Sequence, residues 1–395
     1  MLDLISFVIF ILVIAILIYR DRAKVKRDGI LLIRRTKKGR NFIDNVAKSH
    51  KKFWNYFTTF GIIIAIIALI IATVYILNAS FDVATKKTKE GAVRLLLPGP
   101  VSSPVGDVPA VFIMPWWIWV IGVIIVMIPH EFMHGIACRI ENIRIKSVGW
   151  LLLLFIPGAF VEQDDEQLKK KKVITKLKVY AAGSFANIVV AFIILIMLSF
   201  SQPSPIVGSS FALINNSPAY NASLAGAITE IDGKVIHSAS DMNDALLAHK
   251  PYDVVEIKTA RTVDAIPIFN FNVMPDPAFV ADMKNITVHK VALGNHPNET
   301  GRAYLGVYGQ SFVPVVESSI FLPIYQVMFW AFLFSLGIGL VNLLPIKPLD
   351  GGLIMEEIVC RFVKGRKGKN IVKAVSILLL MALLFNIIGP ILLSL

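Results

Sequence analysis

The chain has 395 residues, 55% of them hydrophobic, and a mean hydropathy of +0.68. That apolar excess excludes an ordinary soluble globular protein. The net charge of +13 is concentrated beside apolar runs, which points to membrane topology rather than to nucleic acid, and two cysteines, Cys138 and Cys360, exclude a disulfide framework.

The first apolar run, Leu4–Tyr19, is short, has no basic residue before it and is followed by a strongly basic stretch. That order is the reverse of a secretory signal and reads as a membrane anchor. Between Arg20 and Lys52 thirteen Lys/Arg stand against three Asp, the mark of a cytoplasmic loop with a modest attraction to anionic lipid. Further spans are expected at Trp54–Asn78, Val111–Met127, Val179–Phe200, Ile320–Leu344 and Ala374–Leu395, about six in all. If successive spans alternate, the basic clusters at Arg139–Lys146, Lys169–Lys178 and Arg361–Lys373 all fall on the side of the Arg20–Lys52 loop. Residues 79–110 and 201–314 then lie outside the cell.

At the inner end of the third span stands His130-Glu131-Phe132-Met133-His134. Histidines four apart share a helix face and can offer two imidazole nitrogens to one ion. Glu131 lies one helical step away, beside such an ion rather than on it, where it would take a proton from zinc-bound water. A bilayer makes charge costly, so this cluster needs a function. A proton relay is the main competing reading, but the other histidines (His50, His237, His249, His289, His296) all fall outside the spans.

The apolar segment Gly149–Phe160 is too short to span and contains Pro157-Gly158. A re-entrant hairpin there would offer an edge to an unwound substrate strand; a membrane-surface loop packed on the helices is the plainer reading. Residues 201–314 have no long apolar run. Short β-like runs occur at Val254–Thr259, Ile286–Val291 and Tyr304–Tyr308, with an Asp232-Gly233 hairpin turn and Ser240 or Asp241 as a helix N-cap. Ser217-Pro218-Ala219 followed by Ile228-Thr229-Glu230-Ile231-Asp232-Gly233-Lys234-Val235 resembles the PDZ domains of proteases, with an insertion around Asp264–Asp282. The resemblance implies contact with a substrate or regulator, either by binding a peptide or by excluding substrates that keep large outside domains.

The fifth span runs into Asn342-Leu343-Leu344-Pro345-Ile346-Lys347-Pro348-Leu349-Asp350-Gly351-Gly352. Asp350 is the acidic residue that follows an apolar span directly at the depth of the histidines, and the two glycines would let the backbone turn closely. It is the best candidate for a third protein ligand, with the fourth zinc position left for water.

These ordered motifs resemble the site-2 proteases, zinc metalloproteases that cut within membranes. The resemblance covers about Val111–Leu395 and includes Phe155–Glu162 and Gly183-Ser184-Phe185-Ala186-Asn187, where Ser184 stands in place of the proline usual in that family. It implies His130, His134 and Asp350 as zinc ligands, Glu131 as base and single-span membrane proteins as substrates. Asn342 and Asn187 are candidates to bind substrate or the developing oxyanion, or to satisfy freed backbone. The fold expected is a polytopic α-helical membrane protein with an inserted, mainly β, PDZ-like domain. Its parts are a two-span region with a basic loop (1–110), a first catalytic half (111–200), an extracytoplasmic domain (201–314) and a second catalytic half (315–395). A catalytically silent scaffold and a prenyl-protein-type membrane zinc protease are the alternatives.

Overall fold

The computed structural model describes residues 2–20, 22–88, 91, 93, 95–99, 111–153, 156–200, 206–264, 279–297, 299–314 and 321–394. The chain forms two compact units, Asp3–Met197 with Val327–Leu395, and Leu198–Gln326.

The first unit opens with helix α1 (Leu2–Arg20), strands β1 (Val25–Asp28) and β2 (Leu31–Thr36), helix α2 (Lys38–Ser49) and the long helix α3 (Lys51–Ala84). A parallel pair, β3 (Leu95–Gly99) and β4 (Val111–Pro115), precedes helix α4 (Trp116–Ile140). The hairpin β5 (Ile145–Leu153) and β6 (Ile156–Gln163), the short helix α5 (Asp165–Lys169) and helix α6 (Val173–Phe200) follow.

Among the described residues, four helices are long and apolar enough to cross a membrane: Lys51–Ala84, Trp116–Ile140, Val173–Phe200 and Arg366–Leu392. Phe7–Arg20 and Val327–Asn342 are shorter apolar stretches. The two faces of α3 explain why it suits lipid. One face buries Gly61, Ile62, Ala65, Ala68, Ala72 and Ile76 against protein, at the i, i+3/i+4 spacing of a helix stripe. The other exposes Ile63, Ile67, Ile70, Ile71 and Val74. A continuous apolar face of that kind is unfavourable in water and costs nothing among acyl chains.

Two sequence expectations need correction. Val111–Met127 is not one span: Val111–Pro115 is strand, and the helix begins at Trp116 and continues through the histidine motif to Ile140. Proline at 115 lacks an amide donor and ends the strand, whereas the polar motif stays helical because neighbouring elements satisfy its side chains. The hairpin at 145–163 is present, but it belongs to an antiparallel four-stranded sheet of order β1-β2-β5-β6, with β2 of the basic loop paired along β5. Residues 154 and 155 lie outside the described residues.

The second unit contains β7 (Ile206–Leu213), α7 (Pro218–Asn221), β8 (Ala227–Ile231), β9 (Lys234–Val235), α8 (Ala239–Leu247), β10 (Val254–Asp264), β11 (Phe279–Ala292), β12 (Gly294–His296), β13 (Glu299–Tyr304) and β14 (Val307–Pro314). Its main sheet runs β11-β10-β8-β7-β14, with β9 on β8, around a core that includes Ile228, Ile231, Met242, Val255 and Ile257. The Asp232-Gly233 turn is formed, with φ +44° and +81° at its two central residues. The N-cap of α8 is Ser238, not Ser240 or Asp241. Its hydroxyl accepts the Asp241 amide at 3.1 Å while the Asp241 carboxylate accepts the His237 amide at 3.0 Å, a reciprocal cap. The run Tyr304–Tyr308 is broken between β13 and β14 at Gly306, where φ is +83°. Most of the expected insertion, 265–278, lies outside the described residues.

Helices α9 (Phe321–Asn342), α10 (Asp350–Phe362) and α11 (Arg366–Ser394) complete the chain. Asp350 is therefore not the tail of a span but the first residue of a new helix, because Pro345 and Pro348 cannot continue α9. Helix α11 is held to α3 by Asn386, fully buried, whose amide donates to Ser80 Oγ at 2.7 Å.

Candidate metal centre

Helix α4 presents His130 and His134 one turn apart, with Nε2 atoms 3.2 Å from each other. Asp350 enters from the start of α10, its Oδ2 3.5 Å from each Nε2. Added Cβ atoms at Gly351 and Gly352 would collide with the backbone of Leu343 to Lys347, so the chain folds back tightly just where Asp350 must reach α4. All three side chains are mostly buried, and their donor atoms lie within 4.8 Å of one another.

This donor set fits zinc. Tetrahedral bonds of about 2.1 Å place neighbouring ligand atoms about 3.4 Å apart, close to the observed separations. Two imidazoles and one carboxylate are also a typical donor set for a catalytic zinc, and they leave one position open.

Helix α6 touches every donor residue. The Val179 carbonyl is 2.7 Å from His134 Nδ1, an N–H donor to it when Nε2 serves as ligand. The Ser184 hydroxyl, fully buried, donates to Asp350 Oδ2 at 2.8 Å. The Asn187 amide nitrogen lies 3.1 Å from His130 Nδ1 while its Oδ1 is buried without a hydrogen-bond partner. Turning the amide by half a rotation satisfies both groups: Oδ1 accepts from Nδ1–H, and Nε2 keeps its lone pair for the ion. Gly183 leaves the space the rings occupy. A Cβ there would lie 2.8 Å from His130 Nε2 and closer still to His134 Nε2.

Glu131 points to the sheet, its Oε2 accepting the Val161 amide of β6 at 3.0 Å. The structure thus brings His130, His134 and Asp350 together and sets Glu131 beside them on α4. Asn187, read in the sequence as a group for substrate or oxyanion or for satisfying freed backbone, is fully buried against His130. Asn342 ends α9, half-buried. The sequence reading did not single out the Val179 carbonyl or the Ser184 hydroxyl as partners. The spacing from Gly183 to Asn187 was the available signal: Asn187 and Val179 each lie four residues from Gly183, so all three share one helix face.

Asn187→Ala and Ser184→Ala are each expected to weaken zinc binding by about 10- to 100-fold while leaving helix content unchanged. Competition titration against a chromophoric chelator, with far-UV circular dichroism as control, measures both; unaltered affinity would remove α6 from the metal site's support.

Residues 118–384 match the profile of Peptidase family M50. An uncharacterized protein of Methanocaldococcus jannaschii is 30% identical over 385 residues, which cover 93% of this chain and 90% of that one. The zinc metalloprotease RasP of Shouchella clausii is 26% identical over 235 residues, 50% of this chain and 56% of that protein. The regulator of sigma-W protease RasP of Bacillus subtilis is 26% identical over 248 residues, 52% and 54% of the two chains. The family match spans well over half of the sequence and contains all three donor residues and α6, so the chain belongs to peptidase family M50, the site-2 protease family, and is a metalloendopeptidase.

Proposed function

We propose that this protein is a zinc-dependent intramembrane endopeptidase that cleaves single-span membrane proteins in regulated intramembrane proteolysis. The observation that carries the reading is the convergence of His130, His134 and Asp350 on one point, on and beside an apolar helix long enough to cross a bilayer. Zinc, when bound, supplies a Lewis acid that polarises the scissile carbonyl and makes water acidic enough to attack at neutral pH. His130, His134 and Asp350 hold it. Glu131, the next residue on α4, accepts the proton of the attacking water and returns it to the leaving amine. Asn187 and Ser184 act as positioning residues for His130 and Asp350. Asn342 is the remaining candidate to hold the substrate backbone.

A helical substrate hides its peptide groups in its own hydrogen bonds and must unwind before cleavage. Strand β6 offers a place for the unwound segment. It ends the sheet order, and its Ala159 and Val161 amides face α4, where Met127 Sδ and Glu131 Oε2 accept them at 2.9 and 3.0 Å. A substrate strand taking those donors would run beside the catalytic glutamate. The six-span topology, the cytoplasmic setting of the metal site and the extracytoplasmic, PDZ-like character of the second unit belong to the same proposal. They are supported by the charge distribution and by the β-rich second unit with its two short helices.

The test is cleavage of a model single-span peptide by the purified protein in detergent. Chelation should abolish cleavage and added zinc restore it; a metal-stripped preparation that cleaves at the original rate would overturn the zinc assignment. In the same assay Ala159→Pro, which removes one β6 donor, should slow cleavage without changing metal content. An unchanged rate would remove strand addition.

A further inference from the structure

A basic cavity of about 420 Å³ lies in the first unit, on the side of the proposed cytoplasmic loops. Lys48 at the end of α2, Lys51 at the start of α3, Arg139 at the end of α4 and Arg144 before β5 line it, with Asn142 and Gln167 as neutral hydrogen-bonding groups. Among the described residues no carboxylate lines it. We propose that this cavity is a phosphate-binding site, and that its occupant is the headgroup of an anionic phospholipid.

Four observations support the site. First, two nearby acids, Asp44 and Glu141, are already paired with cations. Asp44 pairs with Arg139, which donates to it from Nη2 at 3.0 Å. Glu141 is taken by Lys178 at 2.8 Å and by the Thr175 hydroxyl at 2.9 Å. Lys48, Lys51 and Arg144 line the cavity and form no ion pair among the described residues. Second, α3 begins at Lys51 and no side chain caps it, so the positive end of a helix adds to the same potential. Third, the cavity sits where two membrane-length helices end. Lys51 opens α3 and Arg139 is the penultimate residue of α4, which is the depth of lipid headgroups if both helices span. Fourth, the volume accommodates a phosphate with its glycerol, and the buried Ala47 and Ile140 give it an apolar wall beside the cations.

A bound phosphate would bridge α2, α3 and α4. Arg139 lies on α4 just beyond His134, so occupancy would brace the helix that carries the two histidines.

The test uses full-length protein in phosphatidylcholine mixed micelles, titrated with phosphatidylglycerol, with thermal unfolding and retained lipid as readouts. Unaltered protein should gain Tm and retain phosphatidylglycerol. The triple variant Lys48→Gln, Lys51→Gln, Arg144→Gln should need about a hundred-fold more lipid for the same shift. A charge-matched control, Lys364→Gln, Arg366→Gln, Lys367→Gln, should respond as the unaltered protein does. Inorganic phosphate in place of lipid separates the two sources of the anion. A shift with lipid alone supports the headgroup; a shift with phosphate alone, lost in the triple variant, keeps the anion site and replaces its occupant. Equal responses from the triple variant and the unaltered protein, or no response to either anion, would overturn the proposal. Metal content and peptide cleavage are read in parallel, so failure here stays distinct from failure of the peptidase reading.

Discussion

Glu131→Gln is expected to lower the rate constant for peptide cleavage by about 10²- to 10⁴-fold while metal content stays that of the unaltered protein. Glutamine keeps the size of the side chain but removes the carboxylate proposed to accept the proton. Glu131 lies beside the grouped donors rather than among them, so metal binding should not depend on it. Its contact with the Val161 amide survives, because the glutamine carbonyl accepts the same hydrogen bond. Substrate binding should therefore change little, and the loss should fall on kcat rather than KM. Metal analysis beside single-turnover cleavage distinguishes the outcomes. A variant that loses its metal would make Glu131 a ligand, and one that cleaves normally would remove it from the chemistry.

Gly183→Ala should empty the site, although alanine ordinarily favours a helix over glycine. The added methyl would overlap both imidazoles, 2.8 Å from His130 Nε2 and nearer to His134 Nε2. Neither ring is free to move aside: His134 Nδ1 is held by the Val179 carbonyl and His130 Nδ1 by Asn187. The rings must rotate, and the donor set disperses. Metal affinity should fall by about 100-fold or more, with cleavage lost alongside. Gly337→Ala in α9 is the control, since among the described residues a Cβ there meets nothing within 4 Å; it should retain metal and activity. Metal retained after dialysis is the measurement. A fully loaded Gly183→Ala protein would show that the rings yield and that Gly183 serves only helix packing.

The donor set was legible because its chemistry is local. Two histidines four apart announce a shared helix face, and an aspartate before two glycines announces a turn at an apolar end. Asp350 as the opening of α10 was less visible, since hydropathy marks where an apolar run ends and not whether a new helix begins there. The sheet β1-β2-β5-β6 was half visible. Leu151-Leu152-Leu153 declare themselves, but Leu31-Leu32-Ile33 lie within thirteen basic residues that read as a solvated loop. Their pairing with β5 is a long-range contact, set by edge hydrogen bonds that no local pattern encodes. The support from α6 was hidden for another reason. A backbone carbonyl such as that of Val179 has no signature in a side-chain sequence, and a serine such as Ser184 reads as a small packing residue until its partner is seen. In the second unit the Asp232-Gly233 hairpin was plain from turn chemistry, while the cap of α8 was misplaced because Ser238, Ser240 and Asp241 all suit the position.

The division of the donors along the chain bears on how the protein is made. His130 and His134 are synthesised in the first half, Asp350 in the last stretch, and the whole second unit is translated between them. A chain still on the ribosome at Asn342 has two nitrogen donors and no carboxylate, too few to hold a catalytic metal firmly. On the proposed ligand set, hydrolytic competence arrives late in biogenesis, once Asp350 at the start of α10 reaches the two histidines of α4. On that reading an unfinished chain lacks its third donor and is inert, and no active peptidase exists whose second unit is still unmade.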